Sequence, residues 1–406
     1  MRRFLGLVLL PAGLWAYTLG DLVDASAKSD QAQIDSYRQQ AAESSLSAAR
    51  RAYWPTVDVG ARFSEVDEVS MEPEAALSAT LSWTIFDGFA RENEIAARVH
   101  EARAARLERT HNRNGRALQT VRYYFNLLAA KESFLAQASK VRHLSAEYDR
   151  LKGFEQVGVA SAKERAQIAA ALEAARYELA DLEVRLLDFR LILGDLTGLT
   201  LDGYEPVLTA LIEPQTAGLA LERSDLLAQR EQISALSSRA DALRAVYFPQ
   251  ITLENVLSKN SYDDEIAFDL PEDQNRFSIA LSFRLLDFRR MGKEREAARL
   301  QKRAEEHRLS YAERRAQSEA RLARYRLQSA QKQVASAAQA LTSSELVFEQ
   351  VQKKFRSRLA SEIDYLDALS EKTQAHARLA AARSDYEVAK AEYYYAHGTP
   401  IEEKIP

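Results

Sequence analysis

The chain has 406 residues with 14 Gly, 9 Pro and no Cys; it is 46% hydrophobic and 28% charged, with 55 Lys+Arg against 59 Asp+Glu for a net charge of −4. Gly and Pro at about 3% and about 2%, against averages of about 7% and about 5%, exclude a loop-rich enzyme fold assembled from many short elements. The hydrophobic share excludes a disordered chain. The missing Cys excludes disulfides, thiolate metal sites and cysteine nucleophiles, and the balanced charge marks no nucleic-acid binder.

Residues 1–16, MRRFLGLVLLPAGLWA, set two arginines before an apolar run from Phe4 to Trp15 that ends on a small residue, Ala16. That is the layout of a secretory signal peptide, with cleavage expected after Ala16. The alternative reading is an apolar first helix of a soluble protein. The run is shorter than the about 20 residues that a membrane-spanning helix needs, and no later stretch approaches that length.

The rest of the chain repeats itself. Tyr53-Trp54-Pro55 returns as Tyr247-Phe248-Pro249, and Leu81-Ser82-Trp83-Thr84-Ile85-Phe86-Asp87 returns as Leu281-Ser282-Phe283-Arg284-Leu285-Leu286-Asp287. Val159-Ala160-Ser161 is matched by Leu359-Ala360-Ser361, and Ser29-Asp30 by Ser224-Asp225. The offset is about 194 to about 200 residues, and four landmarks in one order define an internal duplication. The first repeat spans 17–204, a connector 205–217, the second repeat 218–400 and a tail 401–406.

Within each repeat the expected order is helix, strand, acidic loop, strand, very long helix, tight turn and return helix. Strands are expected at 53–64 and 76–86, then at 248–258 and 276–287. Leu77, Ala79, Leu81, Trp83 and Ile85 alternate with Ser and Thr, and Phe277, Ile279, Leu281, Phe283 and Leu285 alternate with Ser278, Ala280, Ser282 and Arg284; the strand from Ile251 is less regular. One apolar and one polar face suits either a sandwich or a membrane barrel, whose lipid side is the apolar one. Four strands cannot close a barrel alone, so a barrel requires several chains.

Long helices are expected at 91–156 and 289–356, returning at 161–193 and 361–396. Leu118, Val121, Phe125 and Leu128, then Val141, Leu144, Tyr148 and Leu151, keep 3-4-3 spacing, and Leu327, Val334, Leu341, Phe348 and Phe355 recur every heptad. Such seams pack helices side by side. About 65 residues at about 1.5 Å each make a rod of about 100 Å, longer than a globular core requires. Ser161-Ala162-Lys163-Glu164 and Ser361-Glu362-Ile363-Asp364 match the capping box that starts a helix.

These residues resemble the outer-membrane efflux protein (TolC) family. Trp83-Thr84-Ile85-Phe86-Asp87-Gly88 is similar to its strand-ending LFDGG, Gln156-Val157-Gly158-Val159-Ala160-Ser161 to its xVGxxS tip, and Asp364-Tyr365-Leu366-Asp367-Ala368 to a further motif. The resemblance covers nearly the whole mature chain. It implies a mainly α fold with membrane β: a homotrimer in which each chain gives four strands to a twelve-stranded β-barrel, continued by a periplasmic α-helical barrel. It implies an exit duct of a tripartite efflux pump or type I secretion system, in the outer membrane and reaching into the periplasm. Its partners would be outer-membrane lipid, a periplasmic adaptor (membrane fusion) protein and an inner-membrane transporter, with no enzyme activity, cofactor, metal or nucleic acid. The second tip, Ser357-Arg358-Leu359, departs from the family in lacking a glycine, and the missing Cys resembles the non-lipidated branch.

On the resemblance, Asp364 and Asp367 are the candidate pore-aperture carboxylates; the alternatives are a capping role and a solvated face. Gly158, Val159, Ala160, Arg358, Leu359 and Ala360 are candidate adaptor contacts at the tips, or residues that only reverse the helices. Tyr53, Trp54, Trp83, Tyr247, Phe248 and Phe283 fall at strand ends, as in a membrane aromatic belt, or in a buried core. Glu65, Asp67, Glu68, Glu72 and Glu74, with Asp263, Asp264, Glu265, Asp269, Glu272 and Asp273, read as solvated loop charge or an acidic mouth. A second function class is a periplasmic coiled-coil adaptor, which would carry one hairpin flanked by soluble β-domains.

Overall fold

The computed structural model describes residues 17–63, 75–214, 222–261 and 273–406. The expected signal peptide and the acidic loop residues other than Asp273 lie outside these. In chain order the elements are α1 (Leu19–Ser26), α2 (Asp30–Arg51), β1 (Thr56–Phe63), β2 (Ala75–Phe86), α3 (Ala90–Gln156), α4 (Ala162–Thr197), α5 (Ser224–Ala242), β3 (Gln250–Ser261), β4 (Asp273–Ser282), α6 (Arg290–Arg356) and α7 (Glu362–Ala396). α3 and α6 are each 67 residues long.

The chain divides into two compact units. The first comprises Met1–Asp35, Thr110–Arg223 and Arg315–Pro406, and so holds α1, α4, α7 and the C-terminal parts of α3 and α6. Here the apolar seams meet. One cluster surrounds the fully buried Tyr124, Phe125, Leu127 and Leu193 with α1 residues Leu19, Leu22 and Val23. A second unites four helices near the hairpin turns: Leu144 and Leu151 of α3, Ile168 and Leu172 of α4, Phe348 and Phe355 of α6, Tyr365 and Leu369 of α7. Phe355 stacks on Tyr365 at 4.8 Å and 16°. A third packs Ala323, Leu327 and Ala330 of α6 against Ala389, Tyr393 and Ala396 of α7.

The extended stretch 201–214 is strapped to this unit by hydrogen bonds. Tyr124 Oη donates to the Val207 carbonyl, Tyr204 Oη to that of Tyr17 at 2.7 Å and Tyr394 Oη to that of Ile212 at 3.0 Å. Lys390, 4% exposed, pairs with Glu387 at 2.9 Å and Glu213 at 3.0 Å, and its ammonium donates to the Leu211 carbonyl. Buried charge survives here because every partner is present.

The second unit, Ser36–Arg109 and Ser224–Arg314, holds the sheet and its flanking helical segments. The strands are antiparallel in the order β1-β2-β3-β4. Register places Val57, Leu81, Asn255 and Phe277 in one row and Asp58, Thr80, Val256 and Arg276 in the next, on opposite faces. The apolar face carries Val57, Val59, Leu77, Leu81, Leu253, Leu257, Ile279 and Leu281, but it is not wholly apolar, because the register also sets Asn255, Lys259 and Asn275 there.

Strand ends differ from the expected ones for local reasons. β1 begins at Thr56, not 53: Trp54 N–H turns back to the Arg51 carbonyl at 3.0 Å, and Pro55 has no donor for a ladder. β4 ends at Ser282 rather than 287, since its pairing with β3 starts at Gln250–Ser282 and leaves Phe283 to Asp287 without a ladder partner. β3 runs on to Ser261, paired with Ala75. Polar links tie the helical segments: His100 to Glu231 at 2.7 Å, Glu108 to Gln232 at 2.6 Å, Arg109 to Gln39 at 3.0 Å and Arg230 to Glu313 at 2.8 Å.

Candidate functional site

Three places carry the residues singled out by sequence: the sheet end nearest the helices, the junctions into α3 and α6, and the two hairpin turns.

At the sheet end, all six candidate belt aromatics are solvent-exposed rather than buried in a core; Trp54 is 75% exposed and Phe283 57%. Trp83 Nε1 donates to the Tyr53 carbonyl at 2.9 Å, which fixes that indole beside the first of the six. Phe283 stands just past β4. Sequence reasoning passed over further exposed apolar residues beside it: Leu286 at 70% and Phe288 at 89%.

At the first junction Asp87 accepts from the Ala90 and Arg91 amides at 3.1 and 3.0 Å. The Arg91 guanidinium also binds Asp87 and donates to the carbonyls of Ala52 and Ile85, with Tyr53 4.5 Å away face-on. One arginine thus joins the end of α2, the end of β2 and the start of α3. Gly88 sits at φ +71°, where an added Cβ would lie 2.5 Å from the Ala245 carbonyl oxygen, so only glycine fits. Arg91 was missed because one arginine in a charged helix start carries no sequence signal; the repeated Tyr-x-Pro and Asp landmarks around it were the available clue.

At the turns both capping boxes form. Ser161 Oγ accepts from the Glu164 amide, while Glu164 accepts from that of Ser161, each at 3.2 Å. Asp364 accepts from the Ser361 amide at 3.0 Å and its hydroxyl at 2.8 Å. The Ser361 hydroxyl and amide hydrogen bonds hold the Asp364 carboxyl below its ordinary pKa. Asp364 and Asp367 are both exposed on the first turns of α7, three residues apart and so on one face. Each hairpin reverses through a left-handed residue, Gly158 at φ +73° and Arg358 at φ +60°. Val157, Val159, Leu359 and Ile363 stand exposed around the turns, at 46% to 78%, while Ala160 and Ala360 tuck against the four-helix cluster. The Arg358 guanidinium lies 5.4 Å over the Phe154 ring of α3, and Arg150 lies over Phe154 and Phe355 at 5.2 and 5.3 Å. The two hairpins are therefore bridged by arginine–aromatic contacts next to their turns.

Among the described residues no cluster of His, Asp and Glu has metal-binding geometry, and no helix is long and apolar enough to cross a membrane. An amphipathic sheet with open edges, fused to doubled antiparallel helical hairpins, is the architecture of an outer-membrane channel subunit. The family model for outer membrane efflux proteins matches residues 24–199 and again 218–399, one match per repeat. The chain belongs to the outer membrane efflux protein family, a family of channels rather than enzymes.

Solved structures agree in fold. The chain is 17% identical to the CmeC outer membrane channel of Campylobacter jejuni, with a TM-score of 0.84, covering 96% of this chain and 87% of that one. For CusC the values are 16% identity, TM-score 0.80, and 97% and 96% coverage. For the open state of the Neisseria gonorrhoeae MtrE channel they are 16%, 0.77, 94% and 89%. No curated protein sequence matches the chain.

Proposed function

We propose that three copies of this chain close one conduit, a passive exit duct through the outer membrane that continues across the periplasm. The observation that carries this reading is the sheet: four strands with an apolar face, and β1 and β4 each bonded on one side only. In a bilayer unpaired backbone groups cost several kcal/mol each, so a spanning sheet must close on itself. Pairing β4 of one copy with β1 of the next gives twelve strands from three chains. It also covers the bare stretch after Ser282.

In this reading the signal peptide 1–16 directs export, the repeats 17–204 and 218–400 supply strands and hairpins, and the connector 205–217 links the two repeats. The six aromatics sit at the headgroup level, where amphipathic rings are favoured. Val159, Leu359 and their neighbours at the tips meet the periplasmic adaptor, which joins the duct to the inner-membrane transporter that provides energy. Asp364 and Asp367 form rings of like charge at the aperture, favouring cations.

The test is purification of the processed chain in detergent followed by single-channel recording. A heat-modifiable trimer with conductance supports the duct. Replacing Asp364 and Asp367 by Asn is expected to change cation preference; unaltered traces would remove them from the aperture. Photo-cross-linkers at Val159 and Leu359 should capture the adaptor.

A further inference from the structure

Within the first unit, a cavity of about 230 Å³ opens between α3 and α7, lined by Ser139, Lys140 and His143 on one side and Lys372 and His376 on the other. None of its lining residues belongs to the turns, the sheet or the junctions, and the function described above gives it no task. Its charge is one-sided. Glu132 is the sole carboxylate of the lining. Two of its cations are paired: Lys140 with Glu178 at 3.5 Å, which also accepts from Gln137 at 2.8 Å, and His376 with Glu345 at 3.1 Å. Among the described residues Lys372 forms no ion pair, and neither do Arg142 and Arg356, the other cations that act on His143.

The cationic groups are also held in place. Phe348, 2% exposed, takes the Lys372 ammonium over its face at 4.9 Å and the His143 ring edge-on at 5.6 Å and 72°. One buried ring thus positions a donor from each helix. A solvated lysine face would leave these side chains free; here they line one cleft, with Leu135 and Leu369 as its apolar part. Ammonium, imidazole and hydroxyl donors converge there and outnumber the one lining carboxylate, Glu132; such a set matches an oxyanion, which gains charge-assisted hydrogen bonds from each.

We propose that this cavity binds a small oxyanion, phosphate or carboxylate, gripped by Lys372 and Lys140 with His143 and the Ser139 hydroxyl as further donors. Bound there, the anion ties α3 of the first repeat to α7 of the second, and makes the packing of the two hairpins responsive to the ion. The site is built within one chain and does not depend on the trimer. Burial, reinforced by Lys372, Arg142 and Arg356, holds the His143 pKa below its ordinary value; an anion between them reverses that charge effect.

The experiment uses the full chain in detergent, titrated with sodium phosphate and, separately, sodium acetate, with sodium chloride matching ionic strength. Calorimetry reads binding, and hydrogen–deuterium exchange at the imidazole C2 position reads the His143 pKa. Saturable phosphate binding with a rise in the His143 pKa is expected. Lys372→Gln should weaken it about tenfold, and Lys372→Arg, which keeps the charge, should retain it. Acetate binding as well as phosphate marks a site for a single carboxylate; phosphate binding alone marks a site for a dianion. Thermal melting of each variant controls for folding. No binding beyond the chloride control, or equal affinity in wild type and Lys372→Gln, overturns the proposal.

Discussion

At position 91 the first repeat carries an arginine, and at the matching position, 291, the second carries a methionine. The surroundings are otherwise shared: Tyr53 and Tyr247, Asp87 and Asp287, and two consecutive residues at positive φ, Gly88-Phe89 in one and Phe288-Arg289 in the other. Both aspartates accept amides of the new helix; Asp287 bonds those of Arg289 and Met291 at 3.0 and 3.2 Å. Yet the first junction is closed, with Arg91 anchored on Asp87 and two carbonyls and Phe89 edge-on to Phe86 and Phe248. In the second, Leu285, Leu286 and Phe288 stand 70% to 89% exposed. The duplication supplies one backbone plan twice, and the side chains finish one copy against its own chain while leaving the other bare. In the proposed trimer the bare copy is completed by a neighbour.

The hairpins repeat that lesson. Identical hydrogen bonds close both turns, Val159 N–H to the Phe154 carbonyl and Leu359 N–H to the Lys354 carbonyl, each 2.8 Å. The first turn uses glycine for its left-handed residue. The second uses Arg358 and keeps Lys353, Lys354 and Arg356 in the last turn of α6, where cations offset the helix dipole.

Substitutions that exchange matched positions probe this difference between the repeats. The largest effect is expected in the seam. Leu144 is fully buried, whereas its counterpart Ser344 only bonds back to the Leu341 carbonyl at 3.0 Å. Leu144→Ala should cost about 2–5 kcal/mol in a denaturation experiment, and Ser344→Ala about 1 kcal/mol or less. Next is Arg91→Met, which installs the second repeat's residue in the first. Losing charged hydrogen bonds at a half-buried site should cost about 1.5–3 kcal/mol, with limited proteolysis near 88–92 as the local readout.

Gly158→Arg should destabilise the first turn by about 1–2 kcal/mol because of its left-handed backbone. Arg358→Gly relieves that strain but gives up the contact with Phe154, worth about 0.5–1 kcal/mol at an exposed site, so its net change should be much smaller. A double-mutant cycle with Phe154→Leu separates the two effects.

The smallest effect is a pH dependence at the second turn. Asp364 is held below its ordinary pKa of 3.8 by Ser361. A carboxylate with a depressed folded pKa contributes stability above its unfolded value and loses it as pH falls through the folded one. Amide protection at 361–365, taken relative to intrinsic exchange rates, should therefore fall below about pH 4 in the native chain, and Asp364→Asn should flatten that response.

Much of this architecture is legible in the amino-acid sequence, because its causes are local. Breaker-free stretches, heptad seams and Ser-x-x-Glu or Ser-x-x-Asp boxes act within a few residues, and duplication lets each repeat check the other. What escaped depends on pairing across distance. The end of β4 at Ser282 follows from where β3 starts, and the polar Asn255 and Lys259 on the apolar face follow from register. The grip of Arg91 on α2 and β2, and the straps of Tyr124, Tyr394 and Lys390 onto 201–214, join residues far apart in sequence. The proposed aperture roles of Asp364 and Asp367 and the proposed tip contacts were read from resemblance, because such roles belong to an assembly larger than one chain.

If one chain's sheet is a third of a closed barrel, β1 of each copy lies beside β4 of another. Cysteines at Thr56 in β1 and Ser282 in β4 of the Cys-free chain probe that neighbourhood through disulfide trapping in outer membranes. Crosslinking between different copies is expected, up to a covalent trimer that conducts in planar bilayers. A chain that stays monomeric and dissolves without detergent, with no crosslink between β1 and β4 of different copies, would rule the shared barrel out.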